Sequence, residues 1–143
     1  MYHKRVIKGK VIMTKNIKIV TVEDSTIVVN RLNIMLGALD GANYMGNVTT
    51  VASAKLLINS IQPDVVILDI HLAEDAPHAN GITLLPWLKE NHPQLIIIML
   101  TNQVEPHYRN TCNQCGAHYF LDKSKEFDKV AQVITESMSS KCF

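Results

Sequence analysis

The chain has 143 residues, 47% of them apolar and 19% charged, and a formal net charge of +1. That length fits one domain able to bury roughly 70% of its unfolded surface. The near-neutral charge gives no electrostatic case for nucleic acid, a membrane surface or a strongly charged substrate as the main partner.

No apolar run reaches the ~18 residues of a membrane span. No apolar segment with a small-residue cleavage site opens the chain. Three cysteines are a sparse, odd set, which points to free thiols and a cytoplasmic location.

MYHKRVIKGKVIM, residues 1–13, stands apart. It reads as an added strand, a disordered arm, or residues upstream of a start at Met13. Residues 1–15 are therefore set aside as an N-terminal extension of a domain spanning 16–140. Lys4, Arg5, Lys8, Lys10, Lys15 and Lys18 gather here without aromatic interleaving and read as a solvated edge.

From there β-rich and helical patterns alternate. IKIVTV is a first strand. STIVVNRLNIMLGAL places Val28, Leu32, Met35 or Leu36, and Leu39 at helical spacing, with Ser25 as cap. NVTTV is a second strand, and SAKLLINSI a second helix stopped by Gln62-Pro63. DVVILDI is the third strand. ITLLPWLKEN is the third helix, where Pro86 is tolerable if it falls in the first turn. QLIIIMLTN is the fourth strand. PHYRNTCNQC is the fourth helix, with Pro106 near its start and Gly116 past its end. HYFLD is the fifth strand. KEFDKVAQVITESM is the fifth helix, with Phe127, Val130, Ala131, Ile134 and Met138 on one face. Five strands alternate with five helices, and strands three and four are continuously apolar. The pattern is a doubly wound parallel α/β sheet.

Ligands of such sheets bind at the carboxyl ends of the strands. Glu23, Asp24, Asp69, Thr101 and Lys123 all fall at such ends. Three carboxylates with one lysine carry excess negative charge and raise one another's pKa. A divalent cation would offset that charge, and Mg²⁺ prefers carboxylate, water and phosphate oxygens. An aspartate beside it can be the nucleophile for a phosphoryl group. Mg²⁺, the Lys123 ammonium and the Thr101 hydroxyl would then each face one phosphoryl oxygen. A merely structural network of this composition would be a poor stabiliser.

VTVEDST, VVILDIHL, IIIMLTN and YFLDKS resemble, in that order, the receiver domain of two-component response regulators, over Lys18 to about Met138. The resemblance implies a flavodoxin-like, five-stranded parallel sheet of order 2-1-3-4-5 with five helices on both faces. It implies Asp69 as phosphoacceptor and Glu23, Asp24 and Asp69 as Mg²⁺ ligands, with the backbone carbonyl of His71. Thr101 and Lys123 would contact the phosphoryl group, and Thr101 and Phe120 would form the switch pair. His71, Asn102 and Gln103 would tune the lifetime of the phosphoryl group. The donor would be a phosphohistidine on a sensor histidine kinase or histidine phosphotransfer protein. Helix 4, strand 5 and helix 5 would face a downstream protein target or a second copy in a homodimer. Few residues follow the fifth helix, so a stand-alone, chemotaxis-type or phosphorelay-type regulator is expected. It would catalyse only its own phosphorylation and dephosphorylation. The alternative is a receiver-fold interaction or dimerisation module that is never phosphorylated. A third class, a phosphatase or nucleotide-binding α/β enzyme, lacks its phosphate loop or dinucleotide fingerprint here.

Three positions depart from the family pattern. Gly81 follows Asp69 by twelve residues where about eight are usual, so AEDAPHANG carries an insertion beside the site. Asn102 stands where Ala or Gly is usual and should narrow access for water and small donors. Ser124 replaces a common proline, so no cis bond is needed there. Elsewhere the plainer readings prevail. Cys112 and Cys115, near His107 and His118, suggest zinc or redox chemistry but fit better as small packing residues of the fourth helix. Met35, Met45, Met99 and Met138 read as core or near-core, Trp87 as packing, Cys142 as tail. Glu74, Asp75 and His78 read as a solvated loop.

Overall fold

The computed structural model describes the backbone of residues 2–7, 10–72 and 80–141, and the side-chain surroundings of residues 16–72 and 80–137. Expectations for Glu74, Asp75, His78, Met138, Cys142 and the side chains of the first five basic residues lie outside that set. Ahead of the main sheet, β1 (Tyr2–Ile7) pairs antiparallel with β2 (Lys10–Lys15) as a two-stranded sheet.

The main sheet is β3 (Ile17–Val22), β4 (Ala42–Val48), β5 (Val65–Leu68), β6 (Ile96–Thr101) and β7 (Tyr119–Asp122). All four pairings are parallel, in the order β4-β3-β5-β6-β7. Within the sheet that is 2-1-3-4-5, as expected. The helices are α1 (Thr26–Gly37), α2 (Val51–Ile61), α3 (Gly81–Asn91), α4 (Pro106–Gln114) and α5 (Lys129–Lys141).

Alternation along the strands builds two cores. Val20, Val22, Val66, Leu68, Ile97 and Met99 pack with Ala54 and Ile58 of α2, Leu84, Leu85 and Leu88 of α3, and Cys112 of α4. Ile19, Ile67, Ile98 and Leu100 face the other way, onto Leu32 and Leu36 of α1 and Val130 and Ile134 of α5. Each fully buried Leu or Ile stabilises the fold by roughly 1.5–3 kcal/mol. Pulling any helix off the sheet would therefore expose several such contributions together.

Four local expectations need correction. The second strand is not 47–51 but β4, Ala42–Val48. Thr50 caps α2 instead, in a reciprocal pairing with Ser53, so Val51 opens a helix. Pro86 is not in the first turn of α3 but inside the helix, on its exposed side. The carbonyl of Ile82, four residues earlier, thereby lacks its helical donor. The fifth helix begins at Lys129. Phe127 is buried from the preceding turn, where the Asp122 amide donates to Glu126 Oε1 (3.0 Å). Met45 is exposed, while Met99 is wholly buried. Met45 is the residue skipped where β4 shifts register against β3.

Gln62 ends α2 in the left-handed conformation (φ 55°), which costs a side-chain-bearing residue about 1–2 kcal/mol. Gln62→Gly is expected to stabilise the fold by about 0.5–1 kcal/mol, after the added chain entropy of glycine is deducted. Urea denaturation should show a higher midpoint with an unchanged slope.

Candidate functional site

Because the strands are parallel, their carboxyl ends share one rim. Glu23 and Asp24 follow β3, Asp69 follows β5, Thr101 closes β6 and Lys123 follows β7. They line a cleft of about 220 Å³ with Ser25, His71, Asn102 and Gln103. Every residue expected at the site is therefore in it, except Phe120, which is buried in the core beside α4.

The Lys123 ammonium sits between two carboxylates, 2.6 Å from Asp69 Oδ2 and 2.9 Å from Glu23 Oε1. Glu23 and Asp69 are only 3% and 5% exposed. Glu23 is fully engaged: Oε2 accepts from the Ser25 amide (3.0 Å), its own amide donates to Val48 O (3.0 Å), and its carbonyl accepts from Asn47 Nδ2 (3.0 Å). Asp69 differs. Its Oδ1 is buried and has no hydrogen-bond partner among the described residues. Carboxylate oxygens of Glu23, Asp24 and Asp69 lie within 4.8 Å of one another, and Asp24 is exposed.

A buried carboxylate oxygen without a donor is costly, and three convergent carboxylates suit a hard cation with oxygen preference. The donor set therefore fits Mg²⁺. Burial raises the Glu23 pKa, against hydrogen bonds from Lys123 and Ser25 that pull it down. Burial alone would lower that of Lys123. The hydrogen bonds to Asp69 and Glu23 reverse this and raise it, so the ammonium is firmly charged.

Thr101 is wholly buried, and its Oγ1 accepts from the Gln103 amide (3.1 Å). Its carbonyl accepts from the Lys123 amide (2.9 Å), tying the ends of β6 and β7 together. Two of the departures meet on this rim: Ser124 Oγ donates to Asn102 Oδ1 at 3.1 Å. Phe120 is capped by Arg109 of α4, whose guanidinium lies 4.6 Å from the ring centroid and donates to the Phe120 carbonyl (3.3 Å).

Sequence reasoning noted Gly81 only for its spacing. A Cβ there would lie 2.0 Å from the carbonyl oxygen of Asp69. Only glycine lets α3 approach so closely, and the Gly81 amide donates to Ile70 O (2.8 Å). Ser25 was read as a cap, and it does accept from the Val28 amide (3.4 Å), but its own amide also holds Glu23. Cys112 is a buried core residue whose thiol pKa is pushed up to about 11 by burial. His118 Nδ1 accepts from the Ile97 amide (3.0 Å).

Comparison with known proteins gives a consistent result. The response regulator receiver domain family matches residues 19–135. The DNA-binding transcriptional activator EvgA of Escherichia coli K12 is 26% identical over 99 residues, covering 69% of this chain and 47% of EvgA. The protein-glutamate methylesterase/protein-glutamine glutaminase 2 of Shewanella sp. MR-4 is 29% identical over 131 residues, covering 87% of this chain and 36% of the relative. The chain thus spans about half or less of the length of these two curated relatives. A LuxR-family two-component response regulator from Aurantimonas sp. SI85-9A1 superposes with a TM-score of 0.78 at 19% identity, over 88% of this chain and 87% of that one. This last similarity concerns the fold.

Removing Lys123 leaves two buried acids without their cation. Lys123→Met is expected to cost about 3–5 kcal/mol of stability at neutral pH. The Lys123 pKa is raised by folding, so its contribution is complete below the unfolded value near 10.4. It is lost as pH climbs through the folded value. The gap in unfolding free energy between wild type and Lys123→Met should narrow above about pH 10.4. Denaturant titrations across that range would measure it.

Proposed function

The chain belongs to the response regulator receiver domain family, and from that premise we propose that it is a phosphoacceptor switch with Asp69 as the acceptor. One observation carries the reading: Asp69 has one oxygen anchored by Lys123 and the other buried without a partner among the described residues, beside two further acids. A finished structural ion pair would satisfy both oxygens. The open acceptor on Asp69 supports reading the cluster as a ligand site.

In the proposed reaction a carboxylate oxygen of Asp69 attacks the phosphorus of a phosphohistidine. The P–N bond breaks, its electron pair returns to the imidazole, and an acyl phosphate forms on Asp69. Lys123 pivots from Asp69 to a phosphoryl oxygen, and the Thr101 hydroxyl donates to another. Glu23, Asp24, Asp69 and the carbonyl of His71 would hold Mg²⁺, which supplies positive charge against the phosphoryl oxygens when bound. Hydrolysis of the acyl phosphate resets the switch. In this reading the chain turns over no independent substrate.

The donor would be a sensor histidine kinase or a histidine phosphotransfer protein, in the cytoplasm. No helix among the described residues is long and apolar enough to cross a membrane. Output would pass through α4, β7 and α5 to a protein target. The coupling of Phe120 to α4 through Arg109 supports that route, since movement of Thr101 would be felt there. His71, Asn102 and Gln103 at the cleft would set the lifetime of the acyl phosphate.

Intact mass after incubation with Mg²⁺ and phosphohistidine-bearing donor proteins is expected to show one added phosphoryl group, absent in Asp69→Ala. A folded wild type that no donor or small phosphoramidate can modify would sink the reading. A second expectation concerns the rim. Ser124→Ala frees Asn102, so phosphoramidate modification and spontaneous dephosphorylation should both accelerate by up to about tenfold, the rate equivalent of one neutral hydrogen bond. Asn102→Ala should accelerate both at least as much. Equal rates in all three proteins would remove Asn102 and Ser124 from the mechanism.

A further inference from the structure

The contacts that hold Glu23 continue away from the cleft. β3 is apolar apart from Lys18 at its start and Thr21, which is wholly buried. Thr21 shares a sheet face with Ile17 and Ile19, the face packed on α1 and α5. A hydroxyl there must find partners or destabilise the core. Thr21 Oγ1 donates to Asn47 Oδ1 at 2.7 Å and lies 2.5 Å from the Tyr44 hydroxyl. Threonine has one hydroxyl hydrogen, already committed to Asn47, so Tyr44 is the donor in the second contact. Asn47 Nδ2 then donates to the Glu23 carbonyl (3.0 Å). Flipping the Asn47 amide would set its oxygen against that carbonyl oxygen, so its orientation is determined. The donors run one way: Tyr44 to Thr21 to Asn47 to Glu23.

An irregularity of β4 makes this chain of donors possible. Residues 44 and 47 are three apart and would point to opposite faces of a regular strand. Here Ile19 pairs with Tyr44, but Val20 pairs with Gly46, which skips Met45. The extra residue is a bulge, and bulges re-aim side chains. Gly46 takes φ 151°, a conformation L side chains rarely adopt. With the alternation reset, Tyr44 and Asn47 both reach Thr21. Burial also raises the Tyr44 pKa, which keeps the phenol protonated and donating.

We propose that Tyr44, Thr21 and Asn47 are positioning residues that set the divalent-cation affinity of the Glu23–Asp24–Asp69 cluster. The mechanism is mechanical. Glu23 is bound to the end of β4 by both backbone polar groups, through Val48 O and Asn47 Nδ2. The direction in which the chain presents Glu23 and Asp24 to the cleft is therefore set from β4. The inference rests on reading that cluster as a cation site.

The test uses the whole chain with Asn47→Ala, Thr21→Val, Tyr44→Phe and the conservative Thr21→Ser. Mg²⁺ affinity is measured by titration calorimetry, global stability by urea, and amide exchange at Glu23–Ser25 without Mg²⁺. Asn47→Ala is expected to weaken Mg²⁺ binding by roughly three- to tenfold, the worth of one net hydrogen bond, and to speed exchange at Glu23–Ser25. Thr21→Val should follow in the same direction, and Tyr44→Phe less so, while Thr21→Ser stays at the wild-type value. Ile17→Val, which loses core packing without touching the donor chain, should keep wild-type affinity and so separates positioning from general destabilisation. Folded Asn47→Ala and Thr21→Val that bind Mg²⁺ within twofold of wild type would overturn the relay alone. Wild-type binding that Asp69→Ala leaves unchanged would overturn the cation reading, and the relay with it.

Discussion

The site depends on one ammonium group. Lys123 reaches from the end of β7 past β6 to touch Asp69 beyond β5 and Glu23 beyond β3. Two carboxylates this deeply buried and this close could not both stay ionised without a cation between them. The contact is therefore possible only if four strands end at matching heights in the right lateral order. The parallel sheet provides this, because each strand pairs in continuous register with its neighbour across β3, β5, β6 and β7. Two separate cores then hold the sheet flat against helices on both sides. A buried ion pair is a poor source of stability, so the fold supports the charge cluster and not the reverse.

The two acids held by Lys123 are not equivalent, and the difference has chemical meaning. Glu23 has a partner at every polar atom, backbone and side chain alike. Asp69 has one oxygen without any among the described residues. Its backbone, by contrast, is rigidly placed: its amide donates to Val22 O (3.1 Å), and α3 closes on its carbonyl at Gly81. A rigid frame around one unsatisfied acceptor is preorganised for an incoming ligand. Water would be a weak substitute there, since a carboxylate oxygen gains most from charged partners.

Much of this was legible in the sequence. The continuous apolar runs of β5 and β6 required a sheet covered on both faces, and the polar residues that ended them marked the rim. What was not legible follows a physical pattern. β4 is an edge strand, so its residues are half exposed and its composition, ANYMGNV, lacks the apolar signal. The more β-branched NVTTV drew the assignment, although Thr50 and Ser53 form a helix cap. Pro86 was placed by local propensity, yet the burial of Leu84, Leu85 and Leu88 outweighs one missing helical hydrogen bond. Phe127 kept its helical spacing while sitting in a turn, because burial selects the side chain and not the backbone class. The close contact of Gly81 with Asp69 could not be read at all, since it depends on how α3 meets the sheet.

Departures from a family pattern carry more meaning in pairs than singly. Taken alone, Asn102 is a bulky residue where a small one is usual, and Ser124 a missing proline. The pairing of β6 with β7 puts Thr101 opposite Asp122, which brings the residues following each strand within reach. There the Ser124 hydroxyl donates to the Asn102 amide oxygen, a bond that proline could not make and alanine or glycine could not accept. The two substitutions thus form one contact, between the neighbours of the two residues proposed to face the phosphoryl group. Thr101 and Lys123 are already joined through the backbone. A second link across the same gap, made at the solvent-facing rim, ties together the segments that carry those two residues.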